Sequence, residues 1–223
     1  MKKSVVTIDG PAGAGKTTVS RMLADRLGYR YIDTGALYRA IALAAHEGGI
    51  DSKDDGALGK ICSALSLRYV LTEKGPRLLS NGRDVTDRLR TPEITMLASA
   101  VSARPVVRRF LMGVQRAMGR EKGAVFEGRD MGTVVFPDAD LKFYLDAPEK
   151  IRAMRRFLEL RPKTELTFEE VERDLVRRDK NDSTRVEAPL KPAEDSIRID
   201  SAGLSPAEVV TVMLGHIERL AEN

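Results

Sequence analysis

Gly10-Pro11-Ala12-Gly13-Ala14-Gly15-Lys16-Thr17 is the stretch that decides the fold. It matches G-x-x-x-x-G-K-[ST], and its surroundings turn the pattern into evidence. Upstream, Ser4–Ile8 is a short β-branched strand that runs into the turn residues Asp9-Gly10-Pro11. Downstream, Val19, Met22, Leu23 and Leu27 share one face of a helix predicted from Lys16 to Leu27, and Gly28 stops it. A small-residue loop between strand and helix lets backbone N–H groups curl around phosphate oxygens at a helix N-terminus. Gly10, Pro11, Ala12, Gly13, Ala14, Gly15, Lys16, Thr17 and Thr18 are therefore the candidate residues for nucleotide phosphates. Lys16 is placed to bridge the β- and γ-phosphates and the Thr17 hydroxyl to ligate Mg²⁺. The dinucleotide pattern G-x-G-x-x-G fails, because Thr18 stands where its third glycine would be.

Working outward, Tyr31–Asp33 reads as a second strand and Gly35–Glu47 as a second helix, the opening of a parallel α/β sheet. The pattern changes near Asp51. Leu67–Leu71 and Arg77–Ser80 read as antiparallel strands, and Asn81-Gly82 is a hairpin turn. Thr91-Pro92 opens a helix to about Ala103, Arg104-Pro105 interrupts it, and Val107, Phe110, Leu111, Val114 and Met118 mark the next one. Ala124–Glu127, Leu141–Leu145 and Ser196–Asp200 complete the set of core strands. A helix after Pro148 carries Arg152, Arg155 and Arg156. Leu158–Glu165 is charged, contains Pro162 and reads as a mobile loop. Thr167 with Glu170 forms a capping box, and Ser205-Pro206-Ala207-Glu208 caps a last helix that is expected to bury Val209, Val212, Met213 and Leu220. The predicted fold is α/β, with a five-stranded parallel sheet flanked by helices.

The composition excludes several alternatives. With 42% hydrophobic and 31% charged residues the chain reads as globular. A single cysteine, Cys62, leaves no intramolecular disulfide and no cysteine-based zinc site, and is expected to be a small buried residue. Only His46 and His216 are present, far apart and both on helical stretches, so no histidine-based triad or metal site stands out. No apolar run reaches the ~18 residues of a membrane span, and Met1-Lys2-Lys3 leads directly into a strand, so a cytoplasmic protein without membrane partners is expected. The net charge of +4 is too small to predict nucleic-acid binding. Within it, however, are 25 Arg against 12 Lys, and arginine suits forked recognition of phosphate.

The loop alone leaves a phosphotransferase with a small acceptor in competition with a switch GTPase. The guanine-reading N-K-x-D is absent, and D-x-x-G fits both Asp200–Gly203 and Asp25–Gly28, so it discriminates nothing. A nucleic-acid motor would call for stacking platforms, but the chain has no Trp and 5% aromatics.

Three further motifs narrow the choice: Asp33-Thr-Gly-Ala-Leu-Tyr-Arg39, Gly128-Arg-Asp-Met-Gly-Thr-Val-Val-Phe-Pro-Asp138, and Arg178-Asp-Lys-Asn-Asp-Ser-Thr-Arg185 followed by Ala188-Pro189-Leu190. Together with the loop, and in this order, they closely resemble bacterial cytidylate kinases, over most of the chain from Val5 to about Asp200. The resemblance implies the P-loop NTPase fold, with an α+β insertion for the acceptor and a short lid. On that division the core is 1–50, 104–153 and 169–223, the insertion is 51–103, and the lid is 154–168. It implies ATP-dependent, Mg²⁺-assisted phosphorylation of CMP and dCMP. Insertion and lid are expected to close on the substrates and exclude water. A kinase for UMP or a shikimate-like acceptor is the alternative, and a switch or nucleic-acid-stimulated ATPase a more distant one.

The chemistry agrees with the resemblance. An acceptor phosphate oxygen is already ionised and needs no general base, which suits a chain with two histidines; it does need cationic clamps. By resemblance Arg39, Arg129 and Arg185, with Lys16, are the catalytic cations, and Arg152, Arg155 and Arg156 are lid-side contacts to ATP. For the acceptor, Asp130 with Ser99 reads the cytosine amine and Arg108 its acceptors, Arg178 and Asp182 match ribose positions, and Thr34 lies near sugar or phosphate. Uracil would set a carbonyl against Asp130, so rejection through unmet polar groups is expected. Glu127 stands where Asp is common in the family; it or Asp9 is expected to support Mg²⁺ through water. No exposed apolar stripe asks for a partner, so a monomer is expected.

Overall fold

The computed structural model describes residues 3–73, 75–162 and 164–221, with side chains described as far as Arg219. Met1 and Lys2 of the N-terminal reading, Lys163 of the charged loop and the Leu220 side chain lie outside them. The chain divides into two compact units, residues 1–31 with 122–223, and residues 32–121.

The first unit is built on a sheet of order β2-β6-β1-β7-β8. Its strands are β1 (Val5–Asp9), β2 (Arg30–Asp33), β6 (Ala124–Glu127), β7 (Leu141–Asp146) and β8 (Ile197–Asp200); β2 begins in this unit and carries the chain into the next. β1 runs parallel to β6 on one side and β7 on the other, pairing Ile8 with Glu127 and Asp9 with Tyr144. Every residue of β1 is buried, as expected for a central strand covered on both faces. Helices α1 (Lys16–Leu27) and α8 (Pro206–Ala221) pack on this sheet. Val19 and Leu23 of α1, and Val209, Val210 and Met213 of α8, meet Val6, Ile8, Phe143 and Leu145 in one core. Val212 departs from the sequence reading: it is 40% exposed, and Val210 and Ile217 take the buried positions instead, one residue round the helix from the face assigned to it.

Helix α6 (Glu149–Leu160) continues through the start of the segment read as a loop. The sequence concealed this because Leu158 is exposed and leaves no apolar period, whereas Arg156 and Glu159 pair one turn apart and extend the helix. The connection before α7 (Phe168–Thr184) is correspondingly shorter. Thr167 and Glu170 close the capping box at the start of α7, and Ser205 with Glu208 caps α8 in the same way.

The second unit holds α2 (Thr34–Glu47), α3 (Asp55–Ala64), the antiparallel strands β3 (Leu67–Thr72), β4 (Gly75–Ser80) and β5 (Arg83–Asp84), α4 (Pro92–Ser102) and α5 (Pro105–Gly119). Asn81 and Gly82 both take positive φ, 47° and 79°, as a two-residue hairpin between Ser80 and Arg83 requires. Leu37 and Ile41 of α2, Leu58 and Cys62 of α3, Leu78 of β4, Val101 of α4 and Leu111 of α5 share one core. Helices α2 and α5 share this core with the antiparallel strands. α3 was not legible in the sequence. Asp54 caps it, accepting from Ala57 N at 2.9 Å, but it carries two glycines and buries only Leu58 and Cys62, too few positions to display a period.

Candidate active site

Strand β1 delivers the loop 10–15, and α1 starts at Lys16. Its N-cap, Gly15, is left-handed (φ 91°) and offers no side-chain cap, so the first turn of α1 presents its N–H groups to an anion. Gly13 has φ +73°, and a Cβ there would lie 2.6 Å from the Arg152 carbonyl oxygen; only glycine lets α6 approach the loop this closely. Lys16 is 4% exposed and donates to Pro11 O at 2.6 Å. Burial, reinforced by the positive charge of Arg129, pulls its pKa down to about 7.

The two candidate carboxylates have different tasks. Asp9, fully buried, accepts from the N–H groups of Met131 and Gly132 at 2.9 and 2.8 Å. It thereby caps a wide π-type turn over Met131–Val135. Burial pushes its pKa up to about 6 against the pull of those two bonds. Glu127 accepts the Thr17 hydroxyl at 2.8 Å on Oε1 and the Tyr31 hydroxyl at 2.6 Å on Oε2. Hydroxyl and carboxylate oxygens are the hard donors Mg²⁺ takes, usually together with substrate phosphates and water. Thr17 and Glu127 therefore fit such an ion, while both Asp9 oxygens are already occupied by main chain. Among the described residues no group of three or more His, Cys, Asp or Glu could form an all-protein metal cage.

Three arginines from two motifs, Arg129, Arg178 and Arg185, lie in the first unit with Asp130 and Asp182. Arg129 donates to Asp182 at 3.0 Å and to Gly128 O at 3.1 Å. Arg185, at the end of α7, donates to Ala188 O at 2.6 Å and lies 3.4 Å from Asp130. Asp130 and Asp182 are 2% and 7% exposed. Burial raises the Asp182 pKa, but Arg129, Arg178 and Arg185 outweigh it and hold the carboxyl below its ordinary range. Arg178 and Asp182 are one turn apart on α7 and so share a face.

The lid-side arginines are placed differently from one another. Arg152 is buried; it donates to Ala147 O at 2.8 Å and to Ala12 O at 3.0 Å, and is paired with Asp179. Arg155 donates to Ser201 Oγ and O at 2.9 and 2.6 Å. Arg156 pairs with Glu159 on the surface.

In the second unit, Asp33 caps α2 by accepting from Ala36 N at 3.1 Å. Its other oxygen holds Arg39 at 2.7 Å and Arg90 at 3.5 Å, and Tyr69 donates to its carbonyl at 2.8 Å. Arg39 Nε is buried without a partner in this structure. Thr34 is buried at the first turn of α2. Arg108, also buried, lies over the Tyr38 ring and donates to Ser102 O at 3.2 Å. The Ser102 hydroxyl in turn bonds Ser99 O, tying the half-buried Ser99 to the same stretch of chain.

Sequence reading missed Tyr31, Asp33, Arg90, Asp179 and Ser201. Asp33 and Asp179 lie inside the quoted motifs and could have been found there; Tyr31, Arg90 and Ser201 have no such signal.

The cytidylate kinase family model matches residues 6–219. The chain is 51% identical to the cytidylate kinase of Geobacter sulfurreducens over 94% of this chain and 90% of the relative. It is 42% identical to that of Carboxydothermus hydrogenoformans over 96% and 97%. Among solved structures it resembles a gluconokinase from Sinorhizobium meliloti, with TM-score 0.52 at 15% identity over 99% of this chain and 95% of the other. A shikimate kinase from Acinetobacter baumannii gives TM-score 0.50 at 16% identity over 98% and 94%. These two likenesses bear on the fold alone.

Proposed function

The chain belongs to the cytidylate kinase family, and from that premise we propose how its own residues transfer the γ-phosphoryl group of ATP to CMP and dCMP. The observation that carries the reading is the crowding of cations beside the uncapped start of α1. Lys16 is depressed by burial and by the charges of both Arg129 and Arg178, and Asp182 is held ionised by Arg129, Arg178 and Arg185. Such a cluster is held at a cost in repulsion that polyphosphate charge would relieve.

In this reading the loop N–H groups and Lys16 hold the β- and γ-phosphates. An ionised oxygen of the acceptor phosphate attacks the γ-phosphorus while the bond to the ADP oxygen breaks. No proton has to be removed, so no general base is needed. Arg129, Arg185 and Arg39 offset the negative charge of the transferring and acceptor phosphates, each through two N–H groups where geometry allows. Asp130 with Ser99 accepts from the cytosine amine, Arg108 donates to the ring acceptors, Arg178 and Asp182 take the ribose, and Thr34 lies near sugar or phosphate. Arg155 and Arg156 serve the ATP side. Mg²⁺, held by Thr17 and supported by Glu127, supplies charge neutralisation at the phosphates when bound; Tyr31 keeps the Glu127 carboxylate turned toward Thr17. The segment 51–103 takes the acceptor, and the connection between α6 and α7 belongs to the lid. The protein acts as a cytoplasmic monomer in pyrimidine nucleotide metabolism, without nucleic-acid or membrane partners. Among the described residues no helix is long and apolar enough to cross a membrane.

A coupled ADP-release assay across CMP, dCMP, UMP, AMP and GMP, with an RNA control, tests the reading. Turnover with CMP and dCMP far above the rest is expected. ADP release that ignores CMP, or that RNA stimulates, would overturn it.

A further inference from the structure

The main chain of the phosphate loop is held from outside the loop. Asp179 of α7 accepts the Ala12 N–H on Oδ1 at 3.1 Å. Arg152 of α6 donates to the Ala12 carbonyl at 3.0 Å, and the same guanidinium nitrogen pairs with Asp179 Oδ2. Ala12, Asp179 and Arg152 thus close a ring in which both polar groups of one loop residue are bonded. Arg152 is anchored in turn by Ala147 O at 2.8 Å. A second link lies one turn further along α6: Arg155 grips Ser201, whose hydroxyl is 3.1 Å from the Ala14 carbonyl.

This arrangement does not look like a surface ion pair. Arg152 is 8% exposed, and it donates to two backbone carbonyls as well as pairing with Asp179. The Ala12 N–H is turned to Asp179, so Ala12 serves as the loop's anchor, and the donors for phosphate come from the residues after it. The curl of a phosphate-binding loop has to exist before the anion arrives if binding is not to be weakened by the ordering of the loop. Glycine-rich backbone does not hold one curl unaided.

We propose that Arg152 and Asp179 are positioning residues for the phosphoryl donor: they fix the phosphate loop by bonding the N–H and C=O of Ala12, and so tie its geometry to the two helices that flank the 161–167 connection. The inference rests on the loop being the ATP site, as in the proposed function, and assigns Arg152 to the loop's main chain and not to the nucleotide. Arg152→Lys keeps the charge but loses the fork that reaches Ala12 and Asp179 together. Asp179→Asn keeps an acceptor for Ala12 but opposes an amide to Arg152. Both are milder than alanine variants, which would leave a buried charge unpaired and threaten folding.

The experiment measures ATP affinity by calorimetry without any acceptor, then the Michaelis constants for ATP and CMP, with thermal unfolding as a control. Each single variant is expected to weaken ATP binding about tenfold, about 1.4 kcal/mol. The KM for CMP should stay within about twofold, and the double variant should be little worse than either single, because they break one ring. Unchanged ATP affinity with a lowered unfolding temperature would overturn the proposal and make the ring merely structural. A CMP constant that moves while ATP binding does not would overturn it as well. Because ATP binding is read without acceptor, a wild-type chain that binds ATP but does not phosphorylate CMP would defeat the proposed function and leave this result standing.

Discussion

The two compact units solve the same problem, holding charged side chains ready for an anion, by different means. In residues 1–31 with 122–223, main chain does most of the holding. Lys16 rests on Pro11 O, Asp9 on the N–H groups of Met131 and Gly132, Arg152 on Ala12 O and Ala147 O, and Arg185 on Ala188 O. In residues 32–121, side chains gather around one carboxylate: Arg39 and Arg90 both reach Asp33. Strand ends and helix starts leave backbone groups unpaired, where they orient side chains; Asp33, at the end of β2, uses one oxygen in this way to cap α2 and leaves the other to the two arginines. The difference is that the first unit fixes its charged groups largely on main chain, whereas in the second two arginines share one carboxylate.

The sharpest way to break the contrast is Lys16→Met. It removes the one cation fixed inside the phosphate loop and should lower kcat/KM by roughly 10³-fold or more, with thermal stability nearly unchanged. A loss of tenfold or less in a steady-state assay would show that the loop backbone suffices. Next is Asp33→Asn. Asparagine caps a helix about as well as aspartate, so α2 should persist while Arg39 and Arg90 lose their shared charge. About a tenfold loss in kcat/KM for the acceptor is expected, with ATP affinity intact by calorimetry. Equal loss on the ATP side would erase the distinction between the units. The smallest effect is expected at Asp9, whose pKa of about 6 in the fold compares with an ordinary 3.8. Between those values the folded chain keeps a proton that the unfolded chain has released. The stability linked to Asp9 is therefore complete below the lower value, declines through the window and is gone above the upper one, a change on the order of 1–3 kcal/mol. Urea unfolding of wild type and Asp9→Asn at several pH values from 4 to 7 checks this. The wild-type curve should fall relative to the variant as pH rises, and parallel curves would contradict the assignment.

Local features were readable in the sequence because their physics is local. The loop 10–17 with its flanking strand and helix, the turn at Asn81-Gly82, and the capping boxes at Thr167 and Ser205 all stand where their residues demand. Features without apolar spacing, or that depend on distant partners, were not. α3 lacks a visible period because two glycines leave it little to bury. α6 extends past Phe157 with a charged pair, Arg156 and Glu159, that a search for apolar spacing ignores. Arg152 was expected by resemblance to contact ATP; its bonds to Ala12 and Asp179 span 140 and 27 residues and leave no pattern. That both Asp9 oxygens accept main-chain N–H groups, those of Met131 and Gly132, likewise leaves no pattern in the sequence.

The central claim, that this chain selects a cytosine nucleotide through a buried carboxylate, is tested most directly at Asp130. The measurement is the ratio of kcat/KM for CMP to that for UMP in wild type and in Asp130→Asn. The wild-type ratio should be large, and the amide, which both donates and accepts, should reduce it by about tenfold or more. A ratio that does not change would contradict the account.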